Sequence, residues 1–264
     1  MKDLFKKTAG CFMTLAMVSG IFASGSPITA AAKENDAQNE IPPRMQPDTI
    51  IRYIDEDKYV IEQGGELQGN LYNENGLTEE EQKIVDNRMK KVLENCGDME
   101  IIKVLNPLPI TDMVVYYDGE GFISEIVNPI SMHYTALPRG TTKPNGVYTW
   151  GAHNNTLTIT DDKVSGTGRI TTFSDKIGES DNTLVKGDVA TRGDHDNPKH
   201  GQTISVTANK KNGGSLTKDM TKRDNGALPD AILDIWKTGV EYWGYTYSSS
   251  LSFEDGSYEY TKSK

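Results

Sequence analysis

From Val147 to Trp236 the chain is a succession of short apolar runs, each cut off by a cluster of Gly, Asn and Asp. This punctuation restricts the fold more than any other feature. The runs Val147–Trp150, Thr156–Thr160, Gly168–Ser174, Thr203–Ala208 and Ala231–Trp236 are too short for buried helices and rich in Val, Ile, Thr and aromatic residues. Such runs bounded by turn residues read as strands. One short helix, from about Lys237 to Trp243, ends at Gly244.

Upstream the pattern changes. Thr78-Glu79-Glu80-Glu81 has the spacing of a capping box, and a helix is expected over 79–96 with Gly97 just beyond its end. Ile84, Val85, Met89, Val92, Leu93 and Cys96 fall on one face of it, which makes Cys96 a packing residue rather than a nucleophile. Met113–Tyr117 and Phe122–Val127 flank Asp118-Gly119-Glu120-Gly121, a hairpin signal, and Arg52–Ile61 is compatible with a short strand. The region 33–50 is polar and carries Pro42, Pro43 and Pro47, so a linker is expected there. Charge separates the two parts: residues 33–150 hold 11 basic and 21 acidic side chains, residues 151–264 hold 14 and 16.

The first 32 residues have the form of a secretory signal peptide: Lys2, Lys6 and Lys7, an apolar run from Ala9 to about Ala23, and Ala30 and Ala32 at an A-x-A-like site. Cys11 precedes the apolar core, the wrong side for a lipidated cysteine. Cleavage would leave Cys96 as the single cysteine and exclude an internal disulfide. The expected organisation is a signal peptide (1–32), a linker (33–50), an α+β region (51–150) and a β-domain (151–264). The net charge of −10 argues against a nucleic-acid partner, which would call for a basic footprint.

One residue type is out of place. Asp234 interrupts the strand Ala-Ile-Leu-Asp-Ile-Trp, and a carboxylate there is costly to bury without a partner. In a half-apolar cleft its pKa would rise and it could serve as a general acid near neutral pH. Asp224, ten residues earlier across a turn, could lie near it, and two carboxylates in unlike surroundings are usual equipment for cutting glycosidic bonds. The structural alternative is that Asp234 caps the next helix or accepts backbone N–H groups. Asp194-His195-Asp196 with His200 has ligand types suited to zinc, but Gly193, Asn197, Pro198 and Gly201 mark a surface turn, and neither metal nor cofactor is expected. His133 and His153 have no Ser or Cys partner in a recognisable motif.

An ordered set of segments resembles the double-psi β-barrel shared by rare lipoprotein A, barwin, expansins and the three-aspartate domain. Gly168-Arg169-Ile170-Thr171-Thr172-Phe173-Ser174 is similar to the opening strand. Val189-Ala190-Thr191, His200–Val206, Thr217–Asp224, Gly226–Asp234 and Thr238–Gly244 follow in the family's order. The resemblance covers roughly residues 165–246 and implies a mainly β fold: a C-terminal six-stranded double-psi β-barrel with one short helix, preceded by a small α+β region. It further implies a wall protein acting on peptidoglycan or another wall polysaccharide; the chain is expected to be monomeric and secreted, with no membrane contact after signal removal, and secretion without disulfides suggests a Gram-positive bacterium. The implied reaction is that of a lytic transglycosylase, with Asp234 as acid then base, Asp224 orienting substrate or tuning Asp234, and Thr171 hydrogen-bonding a carboxylate or sugar. Gly226, Trp236 and Tyr242 would face substrate. Other members loosen or bind polysaccharide without cutting it, and a protein-binding role for the long 176–200 segment is a third reading.

Overall fold

A computed structural model describes residues 33–34, 40–69, 71–129 and 135–262; the expected signal peptide lies outside the described residues. In chain order the elements are β1 (Lys33–Glu34), β2 (Ile50–Tyr53), β3 (Lys58–Gln63), α1 (Glu79–Asn95), β4 (Ile101–Lys103), β5 (Val114–Tyr117), β6 (Ile123–Val127), β7 (Thr141–Thr142) and β8 (Gly146–Trp150). There follow β9 (Asn155–Ile159), β10 (Lys163–Phe173), β11 (Asp188–Arg192), β12 (Asp196–Asn197), β13 (Thr203–Asn209), β14 (Ser215–Gly226), β15 (Leu233–Trp236) and β16 (Phe253–Thr261).

Six strands close into the expected barrel in the order β10-β15-β11-β14-β13-β16 and back to β10. Two pairs are parallel, β10 with β15 and β11 with β14, and the rest are antiparallel. Alternation places Ile170, Val189, Ile204, Val206, Leu233 and Ile235 in the interior, closed at one end by Val240 and Trp243 of the 3-10 turn Gly239–Trp243. Each such buried side chain contributes roughly 1.5–3 kcal/mol. Gly244 ends the turn in the left-handed region. On the other side of β10 the sheet continues through β9 and β8 to β4, which runs parallel to β8.

β16 is a central barrel strand with no counterpart among the runs identified from sequence. Its Asp255-Gly256 pair has the chemistry of a turn. Gly256 instead lies opposite Gly168, where an added Cβ would stand 2.4 Å from Ile170 Cδ1. The glycine there serves a close approach of strands.

The N-terminal region is a five-stranded antiparallel sheet, β1-β3-β2-β5-β6, and α1 lies against β16 and β10. Ile51, Tyr53, Met113, Val115 and Tyr117 form its core. Ile41, Met45 and Thr49, from the segment expected to be a linker, are buried as well. Tyr117 Oη donates to the Pro42 carbonyl at 2.8 Å and Met45 N–H donates to Gly121 O at 2.9 Å, tying that segment down. The capping box of α1 is formed: Glu81 N–H donates to Thr78 Oγ1 and Thr78 N–H to Glu81 Oε2. The buried face of α1 is rotated from the expected apolar stripe. Leu93 is exposed while Arg88 is buried, its guanidinium donating to the carbonyls of Glu254 and His153. Cys96 is buried, as expected of a packing residue.

Candidate active site

The barrel register sets four residues in one row across neighbouring strands. Thr171 of β10 pairs with Asp234 of β15, Asp234 with Ala190 of β11, and Ala190 with Asp224 of β14. Their neighbours Ile170, Leu233, Ile235 and Val189 point into the core, so this row faces outward. Two irregularities make it possible. β10 shifts register between Gly168 and Ile170, and β11/β14 between Val189 and Ala190. Such bulges re-aim side chains beside functional sites.

Asp234 and Thr171 line an open cleft between the barrel and the N-terminal sheet. Thr171 Oγ1 donates to Asp234 Oδ1. Burial pushes the Asp234 carboxyl up to about 6; the Thr171 hydroxyl and the Arg169 guanidinium oppose the rise, and Asp224 and Asp118 add to it. Asp224 is two strands away, about 9.5 Å between Cα positions from the inter-strand spacing. It accepts the N–H groups of Glu179 (3.1 Å) and Asn225 (2.9 Å). Burial pushes it up to about 6 as well, against those two N–H groups.

Phe173 and Trp236 pair with each other two residues beyond Thr171 and Asp234, so they share the outward face. Both retain solvent contact, and Trp236 Nε1 donates to Asp175 O at 2.6 Å. Gly226 ends β14 opposite Arg192, just before the cleft-lining Leu228 and Pro229. Tyr242 stands apart from the cleft, with the Lys186 and Lys218 ammonium groups 4.8 and 5.5 Å from its ring centre. The Asp194–His200 segment does not converge on one point. Asp194 pairs with Arg192, buried Asp196 accepts from Tyr258 and Tyr260, and His200 lies beside Asn182 and Arg223.

A charged seam behind the cleft was not anticipated. The turn between β5 and β6 delivers Asp118 and Glu120 to Arg169, at 2.7 and 2.5 Å, and Glu254 of β16 approaches the same guanidinium at 3.4 Å. His153 is buried between Asp230 (Nδ1 to Oδ2, 2.6 Å) and Glu254 (Nε2 to Oε2, 2.9 Å). Burial works against its charged form, but Asp230 and Glu254 outweigh burial and hold it at about 9. Burial would raise Glu254, yet His153, Arg169 and Ser252 hold it down at about 2. The sequence signal was the Asp-Gly-Glu-Gly turn, legible as a hairpin but not as a supplier of counter-charge.

Among the described residues no helix is long and apolar enough to cross a membrane. No family model matches the chain, and no curated protein or solved structure matches it significantly.

Proposed function

We propose that this chain is a secreted bacterial wall enzyme that cuts peptidoglycan glycan strands by lytic transglycosylation, with Asp234 as both acid and base. One observation carries the reading. Of the three carboxyl groups lining the cleft, Asp118 and Asp230 are held by Arg169 and His153, and only Asp234 stands with a neutral donor, Thr171. A hydrolase of the common kind needs two free carboxyl groups about 5–9.5 Å apart facing one substrate, and Asp224, though roughly that far from Asp234, does not line the cleft. A transglycosylase needs one, because the substrate supplies its own nucleophile.

Protonated Asp234, raised to about 6, gives its proton to the glycosidic oxygen as the C1–O bond of the muramic acid breaks. The carboxylate then takes the proton of the C6 hydroxyl while O6 bonds to C1. The 1,6-anhydro ring closes, the proton count balances, and no water is consumed. Thr171 holds the carboxyl in place through both steps, and burial favours the protonated acid at rest. Phe173 and Trp236 offer apolar ring surface beside the acid on which sugar faces can stack.

The test uses purified peptidoglycan sacculi and the mature chain. Loss of turbidity and release of anhydro-muropeptides are expected, with a loss of at least ~100-fold for Asp234→Asn, the usual contribution of a positioned acid/base. Full activity of that variant would defeat the mechanism. Sacculus binding without any soluble product would indicate a non-catalytic glycan-binding module instead.

A further inference from the structure

A second and larger basin adjoins the Asp234 cleft and shares Ile123, Pro229 and Asp230 with it. One wall is the segment Lys103–Leu108, the other is formed by Ile41, Pro43 and Asn75, and Gly151 and Ala152 lie between them. Its lining differs from that of the acid cleft. It has aliphatic side chains, three prolines and the charged groups Lys103, Glu40, Glu74 and Asp230, and no hydroxyl side chain, where the acid cleft is lined by Ser124, Thr171, Thr172, Ser249 and Ser250.

The wall segment also offers backbone. β4 is the last strand of its sheet and pairs with β8 alone. Glu100 O accepts from Val147 and Val104 N–H donates to Thr149, so the N–H and C=O groups of Ile101 and Lys103 face the open edge. Beyond it, Pro107 and Pro109 favour an extended chain that holds Leu105 and Leu108 out at 74% and 67% exposure. An open edge beside exposed aliphatic side chains accepts an extended peptide by strand addition. Among the described residues Lys103, Glu40 and Glu74 form no ion pair, which leaves a cation for a peptide carboxylate and anions for a peptide amine.

We infer that this basin binds a short extended peptide with small aliphatic side chains and both charge types, the peptide carried by the glycan whose sugar occupies the Asp234 cleft. The link to the sugar rests on the glycan-cutting reading, since the shared wall at Pro229–Asp230 places a peptide branch next to the reacting saccharide. The peptide preference itself rests on the basin alone.

The experiment titrates the isotope-labelled mature chain by NMR with two probes separately: the synthetic tetrapeptide Ala-γ-Glu-Lys-Ala with free ends, and chitotetraose. The tetrapeptide is expected to shift the amides of Lys103, Leu105, Asn106, Gly151 and Ala152, and chitotetraose to leave them unmoved. Leu105 and Leu108 are exposed, so Leu105→Asp/Leu108→Asp is expected to fold normally and to weaken tetrapeptide binding about tenfold or more, about 1.4 kcal/mol. The same variant is expected to lose its preference for peptide-bearing over peptide-stripped glycan strands. No amide shifts with the tetrapeptide, or the same shifts with chitotetraose, would overturn the inference. Failure of glycan cleavage with tetrapeptide binding intact would defeat the cleavage reading and leave the peptide site standing.

Discussion

Replacing Thr171 by valine removes one hydroxyl from Asp234 and almost nothing else. The two side chains have nearly the same shape, and Thr171 keeps its place on β10 opposite Asp234 through backbone pairing. The hydroxyl donates to the carboxylate oxygen, so it favours the charged form; without it the neutral acid gains. A hydrogen bond to a charged group is worth about 1.5–3 kcal/mol, and 1.36 kcal/mol corresponds to one pKa unit, which gives roughly 1–2. Asp234 keeps some solvent contact in an open cleft, so water replaces part of the lost donor and the low end applies. The Asp234 pKa is expected to climb from about 6 to about 7. The folded pKa already stands above that of the unfolded chain. Stability therefore falls as pH rises between the two, and the variant extends that fall to higher pH. Carboxyl carbon-13 NMR across about pH 3 to 9, with the Asp234 signal assigned by its disappearance in Asp234→Asn, reads the value directly. In the glycan assay the alkaline limb of the rate profile moves with it. An unchanged or lowered pKa in Thr171→Val would refute the coupling of these two side chains.

Three further outcomes are expected. His153→Ala leaves buried Asp230 without its cation partner and takes one of two cations from half-buried Glu254, at a cost of about 3–5 kcal/mol, so calorimetry is expected to show a midpoint roughly 10 °C lower. A midpoint within a degree or two of the parent would mean the seam is not held by charge. Asp196 is fully buried, and burial pushes it up to about 6 against the Tyr260 and Tyr258 hydroxyls, so the native state keeps a proton that the unfolded chain loses from about pH 4 upward. Its stabilising contribution is full at low pH and lost as pH rises through 6; Asp196→Asn is expected to shrink the difference between urea midpoints at about pH 4.5 and 7.5, and an unaltered difference would count against it. Gly121 has φ +87°, and an added Cβ would lie 2.1 Å from the Met45 carbonyl oxygen, so Gly121→Ala is expected to cost at least about 2 kcal/mol in urea unfolding; a neutral effect would contradict the tight turn that carries Asp118 and Glu120.

What could be read from sequence follows the range of the interaction. The capping box at Thr78 is a four-residue signal, and the helix begins where it places it. Three barrel strands, β10, β13 and β15, were legible as apolar runs between turn clusters, β11 and β14 only through the family resemblance, and Asp234 through the cost of a carboxylate in an apolar run. β16 was not, because Asp255-Gly256 is a turn signal locally and a close strand approach only once Gly168 and Ile170 lie opposite it. The rotation of α1 follows from Arg88 finding carbonyls at residues 153 and 254. The seam was invisible for the same reason: Asp118 and Arg169 are 51 residues apart, His153 and Asp230 are 77, Glu120 and Ser252 are 132. No local pattern joins such partners.

The most direct measurement is the mass of the products released when the mature chain digests peptidoglycan in water enriched in heavy oxygen. Lytic transglycosylation through Asp234 predicts anhydro-muropeptides free of the label, and no soluble product from Asp234→Asn. Label at the reducing ends of the products, or undiminished release by Asp234→Asn, would contradict it.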